Sequence, residues 1–415
     1  MTGIRTFVDP GRACPGPGIG PFAIGRFVVI AVLLLSAACA DEWHPGKTGP
    51  NCLPPPTPPP DNGPPTPERL FAPNRMELLL RNDGSRGMAN AVVSFDDGPI
   101  VFDFGLWVGA RVNGRVRVSA TSYNAPEFRP LPRGPDSVAL AYILVPGDGP
   151  GEADYDAWPV EAGAPSDDER NPRRIGTATG WIALDDSDPS SHTVLHSDPL
   201  QAEVRETVWA ETALDSVLFV RFQVTNVSSA TWEDLRLGIW CDADVGMAAN
   251  DLVGSDPARQ LGYTYTAAAP ETIWGAWQPA VGFTFLETPE DAGMTAFPQL
   301  LKGWGEPNTA PEAYNLLHGL DKLGAGFVDP TTQEVTVLAV SGDPVSGTGW
   351  YETYPMDRRL LMSTGPFVAQ PGRTLTLTVA LVAARARRAH ENVTALRAAV
   401  DAVRANPASW SVSSP

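Results

Sequence analysis

The sequence predicts a mostly β protein, a large antiparallel β-sandwich that ends in one C-terminal α-helix. In several long segments apolar and polar residues alternate with a period of two, which is typical of strands with one buried face. The connections between these segments are rich in Gly, Pro, Asp and Asn, as turns require. No helical segments alternate with the strands, so a sandwich is favoured over a parallel α/β sheet.

The strand-like segments follow one another along most of the chain. The alternation is clearest in DSVLFVRFQVTN (215–226), LRLGIW (235–240) and TLTLTVALV (374–382). Similar runs occur at 99–111, 114–120, 138–145, 202–210, 260–266, 280–287 and 334–341. Asn113 and Gly114 stand between two of them and predict a tight hairpin. We therefore expect the sandwich body to span residues 70–387.

Only the end of the chain has a helical pattern. In HENVTALRAAVDAVRAN (390–406) the apolar residues Val393, Leu396, Val400 and Val403 recur at helical spacing on an alanine-rich background. This spacing places the four side chains on one face. We expect a helix within residues 388–407 that packs on the body.

The N-terminal segment has the pattern of an export signal. Arg26 precedes the apolar run 27–35, and the small residues SAA lead to Cys39. This predicts a signal peptide over residues 1–38 rather than a membrane-spanning helix. The cysteine after Ala37-Ala38 resembles a bacterial lipoprotein lipobox, although Ser36 stands where that motif has Leu. We expect lipidation at Cys39, with plain secretion as the alternative.

Residues 39–69 contain repeated prolines and no apolar periodicity, which predicts an extended tether. The protein is thus expected outside the cytoplasm, at the cell surface or in the periplasm. It would contact a membrane only through an N-terminal lipid anchor.

The overall charge excludes nucleic acid as a partner. The formal net charge is −18, and phosphate binding requires clustered Lys and Arg. Four cysteines are too few for a disulfide scaffold. Cys241 is interpreted as a small buried residue, and a disulfide to Cys52 remains the alternative.

An acidic segment follows one of the predicted strands. Five oxygen-bearing side chains fall within residues 242–256, at Asp242, Asp244, Asn250, Asp251 and Asp256. Ca²⁺ takes six to eight oxygen ligands of these kinds. Glycines at 246 and 254 would let the loop fold back on itself. The spacing is not that of an EF-hand. We predict a calcium site here, with a solvated acidic loop as the alternative.

Two further groups of side chains bear on function. Of twelve tryptophans, six lie near predicted turns, at 158, 181, 274, 277, 304 and 350. Exposed indole rings can stack on sugars, so Trp158, Trp274, Trp277 and Trp350 are candidate ligand-binding residues; core filling is the alternative. Acid pairs for glycoside hydrolysis are available among Glu203, Glu206, Glu211 and Asp215, and none stands out.

Several motifs together resemble a known group of sequences. They are NDGSRG (82–87), FDFGLWVGARVNGRVRVS (102–119), EF (127–128), DYDAWP (154–159), GIWCDADVGMAANDLVGSD (238–256), GDPVSGTGW (342–350), DRR (357–359) and GPFVAQPG (365–372). In this order they resemble a family of uncharacterised secreted bacterial surface proteins, many of which carry a type IX secretion sorting domain. That domain is not recognisable in this sequence. The resemblance implies a β-rich fold and a surface location, and it implies no reaction.

The sequence therefore predicts a calcium-stabilised surface lipoprotein that binds a glycan, a polymer or an envelope protein without enzymatic activity. An extracellular polysaccharide hydrolase on the same fold is the first alternative. A purely structural surface module is the second.

Overall fold

The computed structural model describes residues 64–82, 93–96, 98–121, 127–131, 140–267 and 273–411. These residues belong to one compact unit, Pro59–Pro415. The predicted signal peptide, Cys39, Cys52 and most of the predicted tether lie outside the described residues. None of the described helices is both long and apolar enough to cross a bilayer.

Strands account for 44% of the described residues and helices for 14%, which confirms the predicted fold class. The strands are β1 (Glu68–Phe71), β2 (Met76–Arg81), β3 (Val93–Phe95), β4 (Gly98–Val101), β5 (Asp103–Val112), β6 (Arg115–Ala120), β7 (Arg129–Pro130), β8 (Tyr142–Leu144), β9 (Ala178–Asp185), β10 (Ala202–Ala210), β11 (Val217–Asn226), β12 (Trp232–Asp242), β13 (Asp251–Asp256), β14 (Leu261–Thr266), β15 (Gln278–Glu287), β16 (Leu300–Leu301), β17 (Phe327–Val328), β18 (Val335–Thr336), β19 (Arg358–Ala369) and β20 (Thr374–Ala386). The α-helices are α1 (Ala153–Ala157), α2 (Ala310–Leu317) and α3 (Glu391–Arg404). Short 3-10 helices occur at Val160–Ala162, Pro189–Ser191, Ala248–Asn250, Pro257–Arg259, Pro289–Asp291 and Pro407–Ser409.

Two large antiparallel sheets form the sandwich. The larger sheet has the order β13-β14-β15-β20-β11-β10-β9-β7, and β8 also pairs with β9. The second sheet has the order β16-β19-β12-β5-β6. A four-stranded sheet, β1 to β4, and the small hairpin of β17 and β18 complete the β structure.

The alternation of side chains along the strands explains why these two sheets pack together. One face of each sheet contributes to a single apolar core. For example, Phe104 of β5 and Phe283 of β15 meet with ring centroids 5.3 Å apart. Burial of large apolar surface of this kind is the main favourable contribution to folding.

A helix covers the outer face of each sheet. The four predicted apolar residues of α3 are fully buried against the larger sheet, which confirms the helix and its apolar face. Asn392 fixes the start of α3, because its side-chain amide donates to the carbonyl oxygens of Thr266 and Pro279 at 2.8 and 3.0 Å. Helix α2, which was not predicted, packs on the five-stranded sheet beside Trp107 and Trp240.

Most predicted strands are present, with some local differences. The hairpin at Asn113-Gly114 is confirmed: both residues have positive φ, 51° and 76°, and the turn joins β5 to β6. The prediction of a continuous strand over 334–341 is wrong for most of its length, since the segment holds only the two-residue strand Val335–Thr336 and an isolated bridge from Leu338 to Phe297. The acidic segment is also not one continuous loop, since Asp251–Asp256 forms β13.

Candidate metal centre

The candidate site lies at one end of the five-stranded sheet. Asp242 is the last residue of β12, Asp103 is the first of β5, and Asp357 directly precedes β19. Strand β12 pairs with both of the other strands, and Asp103 stands opposite Asp242. Because neighbouring antiparallel strands begin and end at the same edge of a sheet, these three carboxyl groups are brought to one place.

The alternation along each strand decides which face the site occupies. Trp240 on β12 and Leu361 on β19 belong to the outer cluster beneath α2, whereas Cys241 and Leu360 point into the core of the sandwich. Asp242 follows Trp240 at a spacing of two, so it shares the outer face. The site therefore opens away from the sandwich core.

Three carboxylates converge here. Asp242, Asp244 and Asp357 each offer one oxygen, and these oxygens all lie within 4.8 Å of one another. Asp242 is buried, whereas the other two are partly exposed. The prediction of Asp242 and Asp244 as neighbours holds, and the sequence reasoning missed Asp357. The only sequence feature that pointed to Asp357 was the DRR motif at 357–359, which belongs to the motifs of the family resemblance.

Asp251 is a fourth carboxyl group beside the triad. Its side chain is 1% exposed at the start of β13. Its Oδ2 accepts a hydrogen bond from the Val245 N–H at 3.3 Å, while its Oδ1 accepts none from any residue that the structure describes. Burial and the charges of Asp244, Asp357 and Asp242 raise the Asp251 pKa well above its usual range. A buried carboxylate oxygen without a donor is costly unless a proton or a cation satisfies it.

The pKa values of the triad also indicate a site that favours a proton or a cation. Burial raises the pKa of Asp242 despite the nearby Arg359, and the negative charges of Asp244 and Asp357 raise it further. Burial and then the charge of Asp357 raise the pKa of Asp244. Like charges brought together in a buried place oppose ionisation, and a divalent cation removes that opposition.

Two cationic side chains partly neutralise the cluster. The Arg359 guanidinium is buried, and its Nη1 lies 2.6 Å from Asp242 Oδ1 and 2.6 Å from Asp357 Oδ1. Its Nε lies 3.1 Å from Glu306 Oε1. Lys302 Nζ lies 2.6 Å from Asp357 Oδ2. In the part of the chain that the structure describes, the carboxyl groups of this cluster outnumber the two cations, Arg359 and Lys302, that pair with them.

Two further predicted ligands, Asp256 and Asn250, are, like Asp251, not in the triad. Asp256 is turned away, because it stands five positions after Asp251 on β13 and an odd separation places side chains on opposite faces. It pairs instead with Arg259 at 3.0 Å and with Arg397 at 3.2 Å. The structure therefore does not bring Asp256 to the triad, and its role as a ligand stays a prediction. Asn250 is partly buried at the end of a 3-10 helix next to Asp251 and lies outside the group of three carboxylates.

The four tryptophans proposed for ligand binding do not form one exposed surface. Trp158 and Trp274 are buried, 5% and 7% exposed, so neither offers a ring face to a sugar. Trp277 is partly buried with the guanidinium groups of Arg385 and Arg387 over its ring, at 4.6 and 4.7 Å from the centroid. Trp350 is partly buried against the core. The core-filling alternative describes Trp158 and Trp274. Trp304, in contrast, is 80% exposed.

The candidate acid pairs for hydrolysis are not assembled on β10. Glu203 and Glu206 are three residues apart on this strand, so they point to opposite faces. Glu206 is buried in the interior, where it borders a very small cavity with Phe222 and Leu106. Cys241 is a free, buried thiol whose pKa is raised mainly by burial, as expected of a packing residue.

No protein-family model matches the chain, and no curated protein matches it. Among solved structures, a candidate aldose 1-epimerase of Escherichia coli K12 aligns with 76% of this chain and 98% of its own length, at 9% identity and a TM-score of 0.31. A polysaccharide lyase aligns with 77% of this chain and 32% of its own length, at 8% identity and a TM-score of 0.28. These TM-scores are too low to carry an argument, so function is argued from the site itself.

Proposed function

We propose that this protein is an extracytoplasmic β-sandwich binding module whose structure is stabilised by Ca²⁺ at the end of the five-stranded sheet. The observation that supports the proposal best is the convergence of Asp242, Asp244 and Asp357 beside the buried Asp251. Their oxygens have too few cationic partners for their number. A divalent ion would supply the missing positive charge.

The donor set favours calcium over softer metals. The converging atoms are all carboxylate oxygens, which suit hard cations. The thiol of Cys241, next to Asp242 in sequence, belongs to the apolar core. Ca²⁺ accepts irregular arrangements of six to eight oxygens, so waters and backbone carbonyls would complete its shell. Mg²⁺ requires a stricter octahedron and is less suited to ligands drawn from three separate segments.

The location and the partner belong to the same proposal. The expected export signal and Cys39 would place the protein on the outer side of a bacterial membrane, and a glycan, a polymer or an envelope protein would be its partner. A non-enzymatic role is part of this proposal, in which the acidic cluster, paired with Arg359, serves to hold the ion.

The test is thermal unfolding of the full-length protein in excess calcium and in EGTA. Calcium at one hundred times its Kd should stabilise the folded state by about 2.7 kcal/mol. The double variant Asp242→Ala, Asp251→Ala and the single variant Asp357→Asn should lose this stabilisation. Asp256→Asn is the matched control and should keep it, since Asp256 pairs with arginines elsewhere. Coincident melting curves in calcium and EGTA for the unaltered protein would overturn the calcium proposal.

A second function, polysaccharide hydrolysis, is supported by one observation. Asp242 and Asp244 are adjacent carboxyl groups with raised pKa values, and a proton-bearing acid beside a second carboxyl group is the arrangement that glycoside hydrolysis uses. Release of reducing sugar from a polysaccharide, lost in Asp244→Asn and retained in EGTA, would favour the hydrolase. Calcium-dependent folding without product release would favour the binding module. Calcium-dependent folding without binding of any glycan, polymer or envelope protein would favour the purely structural module.

A further inference from the structure

A cavity lies beside the metal centre, on the same side of the five-stranded sheet. Its volume is about 170 Å³, and its lining includes Leu316 of α2 and residues of two turns, within 301–305 and 321–323. It is open to solvent on one side. An apolar cavity of about 150 Å³ accommodates one benzene ring. The space is therefore that of one six-membered ring.

Two large apolar side chains stand at the cavity and are held out in solvent. Trp304 is 80% exposed and Leu323 is 76% exposed. Each is at a tight turn. The Gly305 N–H donates to the Leu301 carbonyl at 2.9 Å, and Asp321 Oδ1 accepts from the Leu323 N–H at 2.9 Å. These bonds fix the backbone from which the two side chains project, and an exposed indole ring on such a turn is available to a ligand.

Polar groups also line the cavity, and the structure holds them in place. Lys322 Nζ donates to the Glu306 carbonyl at 3.1 Å, and Gln299 Nε2 donates to Glu352 Oε1 at 2.6 Å. The Asp321 carboxylate is fixed by the turn that it caps. Fixed polar groups beside an apolar wall give a ligand both orientation and contact area.

This combination matches the two-sided chemistry of a sugar ring. A pyranose presents C–H bonds on one face and hydroxyl groups around its edge. The C–H face would lie on Trp304, and the hydroxyl groups would reach Asp321 and Lys322. A neutral sugar fits better than an anionic one, because Asp321 would repel a carboxylate and the chain carries a net charge of −18. We propose that the Trp304 cavity is a subsite for one neutral pyranose ring of a glycan.

The subsite rests on the proposed binding function and is physically linked to the metal centre. The segment 302–306 forms part of the cavity wall, and both of its ends are tied to the acidic cluster. Lys302 pairs with Asp357 at one end, and Glu306 pairs with Arg359 at the other. Binding should therefore be measured in saturating calcium, where the wall is in its stabilised form.

The test is titration of the full-length protein with cellohexaose, xylohexaose, mannohexaose and laminarihexaose, followed by tryptophan fluorescence and calorimetry. At least one should give a saturable signal, and Trp304→Ala should weaken its binding about tenfold or more. Trp304→Phe should restore part of the affinity. Tyr354→Ala, which removes another exposed aromatic ring outside the cavity lining, is the matched control and should bind normally.

The proposal is overturned if none of the four hexasaccharides gives a saturable binding signal. It is also overturned if Trp304→Ala binds as tightly as the unaltered protein and the Tyr354→Ala control. The outcome is separable from that of the calcium proposal. A calcium-dependent melting temperature without sugar binding would contradict only the subsite. Trp304-dependent sugar binding with coincident melting curves in calcium and EGTA would contradict only the metal.

Discussion

Asp103 and Asp242 stand directly opposite one another on the neighbouring antiparallel strands β5 and β12, and both are buried. Side chains at opposite positions in such a pair project from the same face about 5 Å apart. Like charges in this relationship destabilise a sheet even at the surface, and burial increases the cost. The pair therefore places two buried carboxyl groups together at the acidic edge of the sheet, where a proton on one of them or a bound cation reduces their repulsion.

The first prediction concerns Asp103, which was not among the sequence-derived ligands. Asp103→Asn removes one of the two opposed charges while keeping the shape of the side chain. In EGTA at neutral pH we expect the variant to melt above the unaltered protein, by about 2–4 °C for each kcal/mol gained. In saturating calcium the advantage should shrink or reverse, because the variant also loses negative charge that attracts the ion.

Differential scanning calorimetry in the two buffers measures both effects. Asp256→Asn serves as the control, since that carboxylate is paired with two arginines. A melting temperature of Asp103→Asn that is lower than that of the unaltered protein in EGTA would contradict the repulsion argument.

The second prediction concerns Lys302, whose ammonium lies 2.6 Å from Asp357 Oδ2. The ammonium group contacts the Asp357 carboxylate that would also bind Ca²⁺, so Lys302 and Ca²⁺ compete for that carboxylate. Lys302→Met should tighten calcium binding about two- to fivefold, as removal of a partly exposed ion pair allows. Isothermal titration with CaCl₂ measures the change. Lys302→Arg keeps the charge and should leave the affinity near its original value; a Met variant with weaker binding than the Arg variant would contradict competition.

The third prediction concerns Glu127, a fully buried carboxyl group far from the exposed surface. Its Oε2 accepts from the Ala120 N–H at 2.8 Å, and His192 Nδ1 lies 3.9 Å away. Burial raises its pKa from 4.5 to about 8, with a smaller upward contribution from the charge of Asp186. The folded protein thus holds a proton at Glu127 that the unfolded chain releases above about pH 4.5.

The sign of the pH dependence follows from this difference. A raised pKa in the folded state gives stability that is complete below about pH 4.5 and is lost as the pH rises toward about 8. Glu127→Gln cannot ionise, so its free energy of unfolding should fall less across this interval. Urea unfolding at several pH values measures the slope. Glu161→Gln, at a side chain that is 88% exposed, is the control; equal slopes for the two variants would contradict the role of Glu127.

Part of the site was readable from the sequence and part was not. Asp242 and Asp244 could be paired because they are close in sequence and share one side of an extended chain. Asp357 and Asp103 could not be added, because only the register of β5, β12 and β19 brings them to the same edge. The same limit applies to Asp256, because β13 begins at Asp251 where a loop was expected and Asp256 pairs with Arg259 and Arg397 instead.

The tryptophans show a second limit. Proximity to a turn predicted exposure for Trp158 and Trp274, but both are buried. Trp158 packs against Tyr142, which in turn contacts Trp181, and Trp274 packs against Phe95. Whether a tryptophan side chain near a turn is exposed to solvent depends on residues that are distant in the chain. Composition and spacing carry no information on that choice.

The sequence by itself determined the β-sandwich, the Asn-Gly hairpin and the C-terminal helix, because period-two and period-3.6 patterns and turn residues act over a few neighbouring positions. Only the tertiary structure decided which carboxyl groups meet, that Trp304 stands exposed beside a ring-sized cavity, and that one short segment joins that cavity to the acidic cluster. These features depend on strand order and register, which bring together residues that are far apart along the chain.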